Sequence, residues 1–143
     1  MLQISNTSKV LCGISLIAVP AIEYGGVRLL RVLLLHEDRF KDSATRHALS
    51  RAGHAHAGMM LIISLICQIL ADSMNLPQAF SWFIRIGVLM GSILVPLGFL
   101  VSAGSPPSEQ PEGGIQLSLA GNLILAVSLL SLGTGLILSA LQA

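Results

Sequence analysis

From Ile115 to Leu141 the chain reads IQLSLAGNLILAVSLLSLGTGLILSAL, with no charged residue anywhere. About 20 predominantly apolar residues cross the hydrocarbon core of a bilayer as a helix, and this stretch exceeds that. Working backward, Phe83–Ala103 is apolar except for Arg85 near its start, and Pro96 is placed to kink it. Ala55–Ala71 is interrupted by Ser64 and Gln68. The first run, Val10–Leu35, is broken by Glu23, Tyr24, Gly25, Gly26, Arg28 and Arg31 before Val32–Leu35 resumes. A cleaved secretory signal ends in a small-residue site and does not regain apolar character, so this run reads as a retained long helix. The prediction is an all-α, single-domain integral membrane bundle of four transmembrane helices, at about 10–35, 54–72, 80–103 and 115–141.

Composition agrees. The 143 residues are 53% hydrophobic and 10% charged, against about 25% charged in soluble domains. A net charge of +1 with no basic tract gives nucleic acid nothing to bind. The connection 36–53 is charged, carrying Glu37, Asp38, Arg39, Lys41, Asp42, Arg46 and Arg51. Residues 72–78 form a Pro-bounded turn, and Gly104 to Gly114 reads as a Gly/Pro loop. Arg28, Arg31, Arg39, Lys41, Arg46 and Arg51 flank the first connection, while Lys9 and Arg85 lie at the other end. The positive-inside rule puts that connection in the cytoplasm and both termini outside, most simply in a bacterial inner membrane.

Small residues bear on packing. Gly87 and Gly91 make a small-xxx-small pattern, and Gly121, Ser128 and Gly135 recur every seven residues. Such stripes let backbones approach closely, within one chain or between subunits. Cys12 and Cys67 sit in apolar runs and read as buried thiols.

The densest chemical cluster is Arg46-His47-Ala48-Leu49-Ser50-Arg51-Ala52-Gly53-His54-Ala55-His56-Ala57-Gly58. Neutral imidazole is the commonest metal ligand and a versatile proton carrier. On a helix His47, Arg51, His54 and Gly58 share a stripe, while His54 and His56 diverge by roughly 200°. Both cannot serve one mononuclear ion from a regular helix. Gly53, Ala55, Ala57 and Gly58 leave room beside them for a bulky planar group. Glu23 is the second signal, since a charge at the centre of a membrane helix costs roughly 2.5–3.5 kcal/mol on insertion scales. Asn122, one turn beyond Ser118, either packs across the bundle or faces a ligand. The phosphate-cradling glycine loop, CxxC, CxxCH and HExxH are all missing.

The order of these features resembles the styrene oxide isomerase family. The likeness lies in Gly25-Gly26 closing the first helix and in Arg51-Ala52-Gly53-His54-Ala55-His56-Ala57-Gly58 followed by Met59-Met60. It extends to Gly91-Ser92-Ile93 and to Gly98-Phe99 ahead of a Pro-containing loop. The resemblance implies trimers of small four-helix membrane proteins holding ferric haem b between subunits, whose iron rearranges epoxides to aldehydes as a Lewis acid. It implies His54 or His56 as the axial imidazole, with His54 favoured and with Arg51 and Gly58 at the cofactor.

The pattern also departs from the family. One extra residue separates Arg-Ala from His54, and an alignment on Gly58-Met59-Met60 sets the family's histidine on Arg51. The family's active-site asparagine then meets Ala57 and its tyrosine meets Leu100. Glu23, Tyr24 and Asn122 are the candidates to replace them. Three readings follow: a haem-b isomerase acting on a small hydrophobic substrate from the lipid bilayer, a copper-, zinc- or proton-handling protein using His54, His56 and Glu23, and a non-catalytic structural subunit. A homo-oligomer is expected, because four short helices enclose little volume for a cofactor.

Overall fold

The computed structural model describes residues 3–35, 44–104 and 112–142. It contains four helices: α1 (Asn6–Leu35), α2 (Ala44–Ala71), α3 (Gln78–Gly104) and α4 (Glu112–Leu141). All four are long and apolar enough to cross a membrane. The charged residues of 36–43 and those of the 105–111 loop lie outside the described residues. α2 begins at Ala44, well ahead of the expected start at 54. The segment ATRHALSRAG holds no proline and several good helix formers, so it continues the helix although its charges end the hydropathy signal.

Three close helix pairs, α1–α2, α2–α3 and α3–α4, place the helices in chain order. α3 is the central element and carries more buried residues than any other helix, among them Ile84, Val88 and Val95. The outward faces are apolar, with Ile17, Leu130 and Leu141 among the most exposed. Water would penalise such a surface and lipid does not.

The small-residue stripes are spent inside the chain. A Cβ at Gly98 would lie 2.5 Å from the Gly114 carbonyl oxygen and the Ser118 nitrogen. One at Gly91 would lie 2.7 Å from Leu125 Cβ, and one at Gly121 2.7 Å from Leu94 Cβ. Gly87 faces Ser128, completing a seam along which the α3 and α4 backbones touch. Dispersion over that seam holds the pair, because lipid supplies no hydrophobic drive between helices.

A second tie is polar and joins three helices at the end opposite the arginine-rich connection. Ser5 caps α1, its Oγ accepting the Ser8 N–H at 3.1 Å. The last turn of α2 tightens, with the Asp72 N–H donating to the Ile69 carbonyl and the Ser73 N–H to that of Leu70. The Gln68 carbonyl is thereby released, and it accepts the Ser8 hydroxyl at 3.0 Å and Arg85 Nη1 at 3.0 Å. Arg85 also donates Nη2 to Asp72 Oδ1 at 2.6 Å, Nε to Ser81 at 3.0 Å and Nη1 to Ser8. Asp72 Oδ2 accepts the Ser5 amide at 3.0 Å, and the Gln68 amide nitrogen donates to the Arg85 carbonyl at 3.1 Å. The Arg85 and Asp72 side chains are only 6% and 4% exposed.

Two measurements test these ties. Gly98→Ala forces a Cβ into backbone and should cost about 1–3 kcal/mol in denaturant titrations of the detergent-solubilised protein. Gly13→Ala, where a Cβ meets nothing within 4 Å, should be close to neutral. Asp72→Asn leaves the guanidinium buried without its counter-charge and should cost about 3–5 kcal/mol, whereas replacing both partners by apolar residues should cost less. Burial pushes the Asp72 carboxyl up, but the Ser5 amide, the Ser8 and Ser5 hydroxyls and Arg85 outweigh it and hold the group below the ordinary carboxylate range. Its contribution is therefore complete above the unfolded value of about 3.9 and disappears as pH falls through the lower folded value. Stability measured from pH 7 down to 3 should drop at the acid end in the native protein, and should lose that Asp72-dependent drop in Asp72→Asn.

Candidate functional site

The histidine cluster sits on the half of α2 nearer the charged connection, between α1 and α3. The two imidazoles take opposite sides, as the helical spacing requires. His54 faces α1 at the glycine pair. A Cβ at Gly26 would lie 3.0 Å from His54 Nε2 and 3.1 Å from Cε1, and one at Gly25 would lie 3.5 Å from Nδ1. Gly25-Gly26 is thus the notch that admits this ring, and its lack of side chains is what lets α1 pass so close to α2. His54 has no hydrogen-bond partner among the described residues.

His56 faces α3. Its Nδ1 lies 2.8 Å from the Ala52 carbonyl oxygen, one turn back. A carbonyl only accepts, so Nδ1 carries the proton, and in the neutral ring Nε2 keeps its lone pair. The ring packs against Phe99 with centroids 4.9 Å apart and planes tilted by 32°. A histidine whose far nitrogen donates to a backbone carbonyl is held in the manner usual for metal-ligating imidazoles.

The glycines around the cluster divide into two roles. Gly53 is consumed by packing, since a Cβ there would lie 3.0–3.1 Å from Leu100 and Phe99. Gly58 opens onto free space, with nothing within 4 Å of a Cβ. Arg51 is exposed on the stripe of His54 and Gly58. Arg46 donates Nε to the Ala103 carbonyl at 2.9 Å, placing a cation at the C-terminal end of α3 where the helix dipole favours it.

Glu23 and Tyr24 project from the outer face of α1, with Tyr24 65% exposed. Asn122 projects from α4, donating its amide to the Ser118 carbonyl of its own helix at 2.9 Å. No hydrogen bond joins any of these three to His54 or His56. His54, Gly58 and Arg51 share one side of α2 and His56 faces the other, while Glu23, Tyr24 and Asn122 occupy outward surfaces.

Sequence reasoning passed over the Arg85–Asp72 pair, treating Arg85 only as a topology marker. The signal was available, because Arg85 is the one charge inside the third apolar run and Asp72 closes the second. Among the described residues, four buried side-chain atoms, Ser64 Oγ, Gln68 Oε1, Ser92 Oγ and Ser128 Oγ, have no partner. Among the described residues no three His, Cys, Asp or Glu side chains converge as a metal site. Comparison with protein-family models, with curated proteins and with solved structures finds no match.

The tautomer is directly testable. Nitrogen-15 NMR of histidine-labelled protein, at a pH where the ring is neutral, should show the His56 proton on Nδ1 and Nε2 bare, and a resonance pattern with the proton on Nε2 would remove the Ala52 anchor.

Proposed function

We propose that this chain is a haem-b-binding membrane protein of the styrene oxide isomerase type, acting on a small hydrophobic epoxide or a related substrate that enters from the bilayer. The observation that carries the reading is His56: a ring anchored through Nδ1 to the Ala52 carbonyl, backed by Phe99, with Nε2 unpartnered. The donor set favours haem over a bare ion. Protein sites for zinc take three or four side-chain ligands, and no such group gathers among the described residues. A porphyrin brings four nitrogens of its own, so one imidazole completes the protein's share.

In this reading His56 Nε2 would hold the haem iron in preference to His54, whose ring fills the Gly25-Gly26 notch. When bound, ferric haem supplies an electron-pair acceptor that polarises a substrate oxygen. The chain's own tasks are positional. Ala52 sets the tautomer and Phe99 limits ring rotation, while Arg51 and Gly58 lie on the His54 side of α2. The apolar surroundings of α2 and α3 exclude water, which would otherwise open an epoxide. Ala57 and Leu100 stand where the family's polar groups align, so the substrate is held by shape and apolar contact unless a neighbouring subunit brings Glu23, Tyr24 or Asn122. Those three on outward faces are what a homo-oligomer would bury, and a charge such as Glu23 has reason to be covered. The setting is a bacterial cytoplasmic membrane.

Absorption of the detergent-purified protein with a pyridine haemochrome assay tests this. The expected outcome is stoichiometric haem b, lost by at least tenfold in His56→Ala and largely kept in His54→Ala. A folded but haem-free native protein would sink the proposal. Loss in His54→Ala alone would move the axial role back to His54.

A further inference from the structure

At the membrane face opposite the histidines, the last turns of α4, the α2–α3 turn and the start of α3 line an open cavity of about 540 Å³. That volume lies within the range of small-molecule sites. Met74, Leu76, Phe80, Leu130 and Leu138 give it an apolar lining, and Gly135 deepens it, since a Cβ there would lie 3.0 Å from the Met74 sulfur. Asn75, Ser139 and Gln142 line the mouth, and Ser131 and Thr134 set two hydroxyls further down the same α4 face.

Two properties restrict the occupant. No lining residue carries a charge, so an anionic or cationic head would enter without a counter-ion. None of the side chains of Asn75, Ser131, Thr134, Ser139 and Gln142 has a hydrogen-bond partner among the described residues. Hydroxyls on membrane helices commonly bond back to the carbonyl one turn earlier. Here the Ser131 and Thr134 hydroxyls are instead available to a ligand. Opening at the level of the α2–α3 turn and the end of α4, the groove is reached from the lipid leaflet on that side.

We propose that this groove is a selective site for a neutral amphiphile, a single-chain lipid with a hydroxyl- or amide-bearing uncharged head. The head meets Asn75, Ser139 and Gln142, and the chain lies along Leu76, Phe80 and Leu138 past the two hydroxyls. Nothing in the site depends on His56 or on haem, so it stands or falls apart from the isomerase reading.

The test uses the full chain in detergent with a monoacylglycerol probe carrying a photoreactive chain, competed by unlabelled monoacylglycerol, by the matching fatty-acid anion and by phosphatidylcholine. The expected result is saturable labelling that maps to Met74–Phe80 and Leu130–Gln142. Unlabelled monoacylglycerol should compete at least tenfold better than the anion or phosphatidylcholine. Gly135→Leu, which fills the groove against a flexible Met74 side chain, should weaken binding at least tenfold. The pair Ser131→Ala with Thr134→Val keeps shape and removes only hydroxyls. It should weaken binding about 2- to 10-fold for each hydrogen bond lost and narrow the preference over the anion. His56→Ala should leave labelling unchanged. Labelling spread over all four helices, or equal competition by all three lipids, would mean only the surrounding lipid annulus and would overturn the proposal. So would binding indifferent to both the filled and the hydroxyl-free variants.

Discussion

The Arg85 guanidinium organises one half of this molecule. Four of its five N–H groups find acceptors on three helices: Ser8 of α1, the Gln68 carbonyl at the end of α2, Asp72 just beyond it, and Ser81 of α3 itself. A buried ion pair adds little over a packed apolar pair in net stability, but its geometry tolerates few alternatives. The pair therefore specifies arrangement. It sets how far the N-terminus of α1 descends against α2 and in what register α2 meets α3. That register in turn brings Phe99 opposite His56 at the far end.

The other half of the architecture depends on the absence of side chains. Gly87, Gly91 and Gly98 let α4 lie against α3 backbone to backbone, and Gly25-Gly26 let α1 accept the His54 ring. The two uses differ in consequence. Along α3–α4 the glycines produce a seam with no chemistry in it. Along α1–α2 they admit the His54 imidazole. α3 is thereby fixed on both sides.

The polar chemistry of the chain is separated by depth. The imidazoles occupy the arginine-rich end, the Arg85 network the other, and the uncharged groove opens beyond that network. Unpartnered Ser64 and Ser92 atoms lie between. Buried hydroxyls of this kind carry an energetic cost unless water or movement satisfies them.

Four spans, their approximate limits and the divergence of His54 from His56 follow from sequence alone, because hydrocarbon thickness and helical pitch act on residues in order along the chain. The start of α2 escaped that reading, since Arg46, His47 and Arg51 end the apolar signal without ending the helix. Whether Gly87, Gly91, Gly121 and Ser128 face a neighbour in the chain or a second subunit was open in the sequence, and contact with α4 decided it. The ring–notch fit of His54 with Gly26 and the salt bridge of Arg85 with Asp72 were equally hidden. So was the outward position of Glu23, Tyr24 and Asn122. Each depends on helix rotation and register, which a periodic apolar pattern with lipid on nearly every side does not encode. Only close packing between particular side chains selects among the rotations that hydropathy leaves equal.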